Sequence, residues 1–256
     1  MFVKIKDLKI HYQVLGKGQS IVLVHGWGCN ISHYENLQKH LAKKFRVYAL
    51  DLPGFGLSTE PAEVWNAAVY ADLVAAFIRE LEIENPILIG HSLGGKILTS
   101  LAARHLVRIS KLVLISSAGI KKPRTPKIWF KIYAYKFSKL IAKLPILKIF
   151  LQPKLDVYRA RSGSADYRNA SGIMRSILVR IVNEDIRKLL PQVDAQTLLI
   201  WGEKDTSAPL AGGKLMQELI YDSEIKVIPG CGHFPHIDNF ALVTAAIDNF
   251  LLNKLY

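Results

Sequence analysis

The sequence predicts an α/β fold: a mostly parallel eight-stranded sheet with helices on both faces, and one inserted helical segment. Three observations carry that expectation. Short Val/Ile/Leu runs alternate with helical patterns along most of the 256 residues, the signature of a parallel sheet covered on both sides. One of these runs leads through Gly90-His91-Ser92-Leu93-Gly94 into a helical stretch. The alternation breaks once, between residues 119 and 190, where the composition also changes.

The elements follow in order. Residues 2–6 and 9–15 alternate apolar with charged or polar side chains and form two strands around a tight turn at Asp7-Leu8. Residues 21–24 are a buried strand, 34–41 a helix and 45–50 another strand. Residues 64–81 place apolar side chains at 69, 73, 74, 77, 78 and 81, the spacing of a longer helix. Next come the strand before Gly90, a helix over 96–104 and a strand over 111–115. Beyond the interruption lie a strand at 197–201, a helix at 210–220, a strand at 224–228 and a final helix at 241–252. Residues 1–118 and 191–256 are therefore one core domain, and 119–190 a basic helical segment inserted in it.

Half of the residues are hydrophobic, enough for a sizeable core. No apolar run reaches the roughly 18 residues that span a bilayer. The first ten residues alternate rather than forming the apolar segment of a signal peptide. Two cysteines, Cys29 and Cys231, make no disulfide framework, which points to free thiols in a reducing, cytoplasmic location. The net charge of +13 is concentrated in one place. Residues 119–190 hold 17 Lys and Arg against 4 Asp and Glu, leaving 17 of each sign elsewhere. Within that segment, residues 126–144 read as a helix with Lys127, Lys131, Lys139 and Lys143 on a broad basic side. Trp129, Ile132, Tyr133, Tyr135, Leu140 and Ile141 occupy the remainder. The apolar face of such a helix suits covering a pocket, and its basic side suits an anionic membrane surface or an acidic protein. Nothing in the chain matches a nucleic-acid-binding motif.

Active sites in such sheets lie at the carboxyl ends of the strands. Ser92 falls at a sharp strand-to-helix turn, where glycines at 90 and 94 leave room for the neighbouring backbone. Its hydroxyl is then exposed, and the Leu93 N–H faces any oxyanion formed there. The loop His25-Gly26-Trp27-Gly28 follows the 21–24 strand, and the Trp27 N–H is the second oxyanion donor. His25 precedes that loop and reads as a structural histidine. Asp205, past the 197–201 strand, suits the acid that orients an imidazole, with Glu203 as the alternative. His233, after the last strand, suits the general base, with His236 as the alternative. Asp51 reads as a backbone-bonding scaffold residue. Serine needs an adjacent base to act as a nucleophile, and the base needs a carboxylate to fix its tautomer. The pattern calls for no cofactor and no metal.

Five pieces together resemble the α/β-hydrolase family over essentially the whole chain. They are His25-Gly-Trp-Gly28, Asp51-Leu-Pro-Gly-Phe-Gly-Leu-Ser58, Gly90-His-Ser-Leu-Gly-Gly95, Trp201-Gly-Glu-Lys-Asp205 and Gly232-His233. The resemblance implies Ser92 as nucleophile, Asp205 as acid, His233 as base, Trp27 and Leu93 as oxyanion donors, and a cap after the 111–115 strand. Serine at 92 disfavours the dehalogenase and epoxide-hydrolase branches, which place aspartate there. The implied activity is hydrolysis of a small-molecule carboxylic ester of small or medium acyl length, by a monomer or dimer. Carbon–carbon hydrolases of dienoates share the serine triad, but often carry Gly-Pro-Gly where this chain has Gly28-Cys-Asn30. The pieces at 25–30 and 51–58 are also similar to carrier-protein methyl ester esterases. A lipid-ester hydrolase at a membrane surface, or a ligand-binding protein on the same fold, completes the set of alternatives.

Overall fold

A computed structural model describes residues 1–121, 133, 137 and 165–252. Of the helix expected over 126–144, all but residues 133 and 137 lie outside the described residues. Eight strands form one sheet: β1 (Phe2–Ile5), β2 (Leu8–Leu15), β3 (Ser20–Val24), β4 (Arg46–Leu50), β5 (Ile87–His91), β6 (Lys111–Ile115), β7 (Thr197–Gly202) and β8 (Ser223–Ile228). Their spatial order is β1-β2-β4-β3-β5-β6-β7-β8. β1 pairs with β2, and β2 with β4, antiparallel; the remaining pairs are parallel.

The alternation of side chains along each inner strand splits the core into two layers. Val22, Val24, Leu88, Leu112, Leu114, Leu199 and Trp201 point to one face. Ile21, Leu23, Ile87, Ile89, Val113, Ile115, Leu198 and Ile200 point to the other. All of these are essentially fully buried, which is why the strands read as unbroken apolar runs rather than alternating ones.

The helices are α1 (Glu35–Leu41), α2 (Ala67–Glu80), α3 (Leu93–Ala103), α4 (Ala165–Asn169), α5 (Gly172–Asn183), α6 (Leu210–Leu219), α7 (Pro235–Asp238) and α8 (Phe240–Leu252). The first layer packs against α2, α3 and α5; the second against α1 and α8. Among the described residues, no helix is long and apolar enough to cross a membrane.

Two boundaries differ from the sequence expectation for identifiable reasons. Helix α2 begins at Ala67 because the Asn66 side chain accepts the Val69 N–H at 2.9 Å and caps the helix there. Its buried face runs through Tyr70 and Ala71 as well as Leu73, Val74, Phe77 and Ile78, and leaves Val69 exposed. Helix α3 begins at Leu93, immediately after Ser92, rather than at residue 96.

β3 lies between β4 and β5, so the chain leaves β3 to one side and later returns on the other. Such a reversal opens a crevice at the carboxyl edge of the sheet. The loops after β3 and β5, which hold Trp27 and Ser92, meet there.

Leu114 on β6 is fully buried between β5 and β7. Leu114→Ala removes apolar contacts and leaves a cavity, so urea unfolding is expected to show a loss of about 2–5 kcal/mol. A loss well under 1 kcal/mol would mean that this layer is not closely packed.

Candidate active site

Ser92 sits between β5 and α3 with φ 50° and ψ −110°, a conformation that L-residues rarely adopt. Three backbone bonds hold it there. Ser92 N–H donates to Ile115 O at 3.0 Å, and Ser92 O accepts from Ala118 N at 3.0 Å and Lys96 N at 3.2 Å. The glycines make the turn possible. A Cβ on Gly90 would lie 2.6 Å from the Gly94 carbonyl carbon, and one on Gly94 would overlap the Val24 carbonyl oxygen.

The Ser92 Oγ lies 3.0 Å from His233 Nε2, and His233 Nδ1 lies 2.8 Å from Asp205 Oδ2. The Nδ1 proton therefore points at the carboxylate and Nε2 is left to accept the serine proton. Asp205 Oδ1 accepts the backbone N–H groups of Ser207 and Ala208, both at 2.9 Å. The Asp205 side chain is fully buried, whereas that of His233 is 18% exposed. Burial pushes the Asp205 carboxyl up, but hydrogen bonds from His233 and the Ala208 N–H outweigh it and hold the group below the ordinary carboxylate range. Glu203 instead accepts the Gly230 N–H at 2.9 Å and so ties down the loop that carries His233.

The loop after β3 lies directly over this serine. A Cβ on Gly26 would be 3.2 Å from Ser92 Cβ and 2.8 Å from His91 Nδ1. Trp27, Ser92, Leu93 and His233 line one cavity of about 850 Å³. Leu93 is the first residue of α3, so its N–H is one of the unpaired donors at the helix N-terminus, where the dipole also favours negative charge. The cavity continues past Ile120, Trp201 and Phe234 to Leu178, Ile181 and Val182 of α5.

Histidines surround the site in fixed roles. His25 Nδ1 donates to Gly26 O at 2.7 Å while Nε2 accepts the Leu52 N–H at 2.9 Å. Both nitrogens are used by the backbone, and burial lowers its pKa to about 4. His91 Nε2 donates to the His233 carbonyl at 2.8 Å, and burial, reinforced by His236 and His233, lowers its pKa well below the ordinary value. His236 is buried at the start of α7 with its ring centroid 4.8 Å from that of His91, and burial lowers its pKa to about 4. Asp51 accepts from Ile31 N at 2.8 Å, Leu57 N at 3.0 Å and His11 Nδ1 at 2.8 Å, a scaffold role. Cys29 and Cys231 are free and buried.

His91 and Lys96 are the two site residues that sequence reasoning missed. Lys96 lines the cavity from α3 although it is only 2% exposed. No local signal marks it: Lys96 shares a helical strip with Thr99, Ser100 and Arg104, which in sequence reads as a solvent-facing side.

Comparison with known proteins agrees with this architecture. The model of the alpha/beta hydrolase fold family matches residues 19–240. A 2-hydroxymuconate semialdehyde hydrolase from Pseudomonas sp. (strain CF600) is 29% identical over 253 residues, covering 92% of this chain and 88% of the relative. The AB hydrolase superfamily protein YisY of Bacillus subtilis (strain 168) is 30% identical over 250 residues, covering 92% of each chain. The solved structure of an enol-lactonase from Burkholderia xenovorans LB400 superposes with a TM-score of 0.76 at 22% identity, covering 98% of this chain and 99% of that one. The chain belongs to the alpha/beta hydrolase fold family and is a hydrolase.

The buried histidines predict a pH dependence of stability. The His25 pKa falls from 6.5 to about 4 on folding, so the unfolded chain binds the extra proton in that window. Stability is then complete above about pH 6.5 and declines as the pH falls toward 4, by on the order of 3 kcal/mol for this one group. Urea midpoints measured from pH 7.5 to 4.5 should fall steadily below pH 6.5. A midpoint independent of pH across that range would contradict the neutral, buried state of these imidazoles.

Proposed function

We propose that this chain is a serine ester hydrolase acting through an acyl-enzyme on carboxylic esters of small or medium acyl length. The carrying observation is the relay Ser92 Oγ, His233 Nε2, His233 Nδ1 and Asp205 Oδ2, with steps of 3.0 and 2.8 Å, opening on a largely apolar cavity. In this mechanism His233 Nε2 takes the Ser92 proton as Oγ attacks the ester carbonyl carbon. The carbonyl oxygen becomes an oxyanion, stabilised by the N–H groups of Trp27 and Leu93. His233 then gives the proton to the leaving alkoxide, and the acyl group stays on Ser92. A water, deprotonated by His233, attacks the acyl carbonyl; the bond to Ser92 Oγ then breaks, the serine takes the proton back from His233, and the carboxylic acid leaves. Asp205 stays ionised and stabilises the imidazolium in both halves.

A second reading is supported by the relative whose name gives 2-hydroxymuconate semialdehyde as the compound hydrolysed. The same serine relay would then cleave a carbon–carbon bond in an unsaturated keto acid.

The experiment is hydrolysis of p-nitrophenyl esters from acetate to palmitate, with fluorophosphonate labelling of Ser92. Turnover with a chain-length optimum is expected, falling about 10⁴-fold or more in kcat in Ser92→Ala and about 10⁴-fold in Asp205→Asn. Labelled Ser92 without ester turnover would move the assignment to the second reading. Neither labelling nor turnover would leave a binding protein on this fold.

The partner surface in this reading is an anionic lipid bilayer. Support comes from the net +13 of residues 119–190, and from Val179 and Val182, which are 42% and 60% exposed near Arg175 and Arg180. Val182 also lines the cavity, so a bilayer there would meet the substrate entrance. Co-sedimentation with phosphatidylglycerol vesicles, lost in a Val179→Asp/Val182→Asp variant, is the expected result. Sedimentation unaffected by that variant, or none at all, would reject the lipid surface. A cytoplasmic location belongs to the same reading and is supported by the free thiols of Cys29 and Cys231.

A further inference from the structure

Lys96 lies one turn of α3 beyond Ser92, and its ammonium is withdrawn from solvent. Nζ donates to Ile181 O at 2.5 Å and to Glu184 O at 3.1 Å, and it lies 3.6 Å from Glu184 Oε2. Ile181 is in the last turn of α5, and Glu184 is the residue that ends that helix. The cation therefore occupies the place where the terminal carbonyls of α5 converge, the end of a helix that attracts positive charge. Glu184 Oε2 also accepts the Ala67 N–H at 3.1 Å, at the first turn of α2. One partly buried ion pair thus joins α5 to two core helices. Two backbone carbonyls accept from the ammonium, and the Glu184 carboxylate, at 3.6 Å, pairs with its charge. Lys96 is not left open to take an anionic substrate, although it lines the cavity.

The pair also spans a long stretch of chain. Lys96 belongs to the helix that follows the serine turn, whereas Ile181 and Glu184 lie 85 and 88 residues further on. Between them α5 places Leu178 and Ile181 on the cavity wall. The position of α5 over α3 accordingly sets the height of that wall above Ser92.

We propose that Lys96 and Glu184 form a latch that holds the carboxyl end of α5 against α3, and that this latch sets the acyl length the cavity accepts. Lys96 is a positioning residue in this proposal and takes no part in bond making. The second half of the proposal rests on the ester-hydrolase reading; the first half does not.

The test uses Lys96→Met, which keeps the length of the side chain and removes its charge, Glu184→Gln, and the conservative Lys96→Arg. Two readouts are taken on the full chain: amide hydrogen exchange of residues 172–183, and kcat and KM across the p-nitrophenyl ester series. In Lys96→Met and Glu184→Gln, exchange over 172–183 should rise about tenfold or more relative to the α3 and β5 amides. The preferred acyl chain should lengthen by at least two carbons. KM at the wild-type optimum should rise about fivefold while kcat there changes less, the pattern of lost ground-state positioning. Lys96→Arg should restore both readouts. If Lys96→Met does not fold, Glu184→Gln carries the test.

Exchange over 172–183 no faster than in the wild type overturns the latch. Faster exchange with an unshifted length profile, or with kcat lowered equally at every length, overturns its role in selectivity. If the wild type hydrolyses no ester while Ser92 still labels, the ester reading fails, and the exchange data alone decide whether the latch exists.

Discussion

The structure depends on one strained residue. Ser92 at φ 50° and ψ −110° costs on the order of 1–3 kcal/mol, and the surrounding chain must make any relaxed conformation worse. It does so from three sides. β6 takes the Ser92 N–H, the turn after β6 donates to its carbonyl, and Gly90 and Gly94 let β3 and α3 close in where side chains would collide. The parallel order β3-β5-β6 is what brings those three partners to one point. The hydroxyl is consequently aimed by the sheet itself and not by a flexible loop, which is how a fold can hold a nucleophile within the narrow geometry that attack requires.

The electrostatics around that serine follow from burial. Four histidines lie within two ring contacts of one another or of the serine loop, yet only His233 faces the serine with a partner carboxylate. His25 and His91 spend ring hydrogens on backbone carbonyls, and burial keeps these two and His236 neutral. A second imidazolium beside His233 would oppose the positive charge that develops there during proton transfer. Excluding water from the neighbours removes that opposition and leaves Asp205, ionised and fully buried, as the partner charge next to the ring. His91 does more than stay neutral. Its bond to the His233 carbonyl fixes the loop that carries the base to the strand that carries the nucleophile.

Much of this was legible in the sequence, and the reasons are physical. The inner strands are buried on both faces, so their Val/Ile/Leu runs stand out whatever their surroundings. The loop residues Trp27, Ser92, Asp205 and His233 lie just past strand ends, where a parallel sheet collects its loops, and the structure does bring them together. Contacts made at long range were not legible. The start of α2 is set by one side-chain cap, and its buried face widens to Tyr70 and Ala71 because it is covered from two sides. His91 looks like an ordinary residue of the turn until β8 delivers the His233 carbonyl to it. Lys96 reads as a surface lysine because its acceptors come from Ile181 and Glu184, whose approach no local pattern announces.

Lys96 also bears on what the cavity can hold. Trp27, Ile120, Leu178, Ile181, Trp201 and Phe234 line it beside polar residues such as Lys121, Asp166 and Ser207, and Lys96, buried at its edge, is already matched by two carbonyls and a carboxylate. A charged acyl group placed beside Lys96 would lose its hydration without gaining that ammonium as a free counter-charge, a cost of several kcal/mol. An uncharged acyl chain loses nothing and buries apolar surface at about 25 cal/mol per Å². The positive charge of the chain lies instead in residues 119–190, with Lys121 at the cavity and Arg175 and Arg180 on α5. Apolar side chains thus line the cavity beside the serine, while the excess positive charge falls in the sequence between β6 and β7.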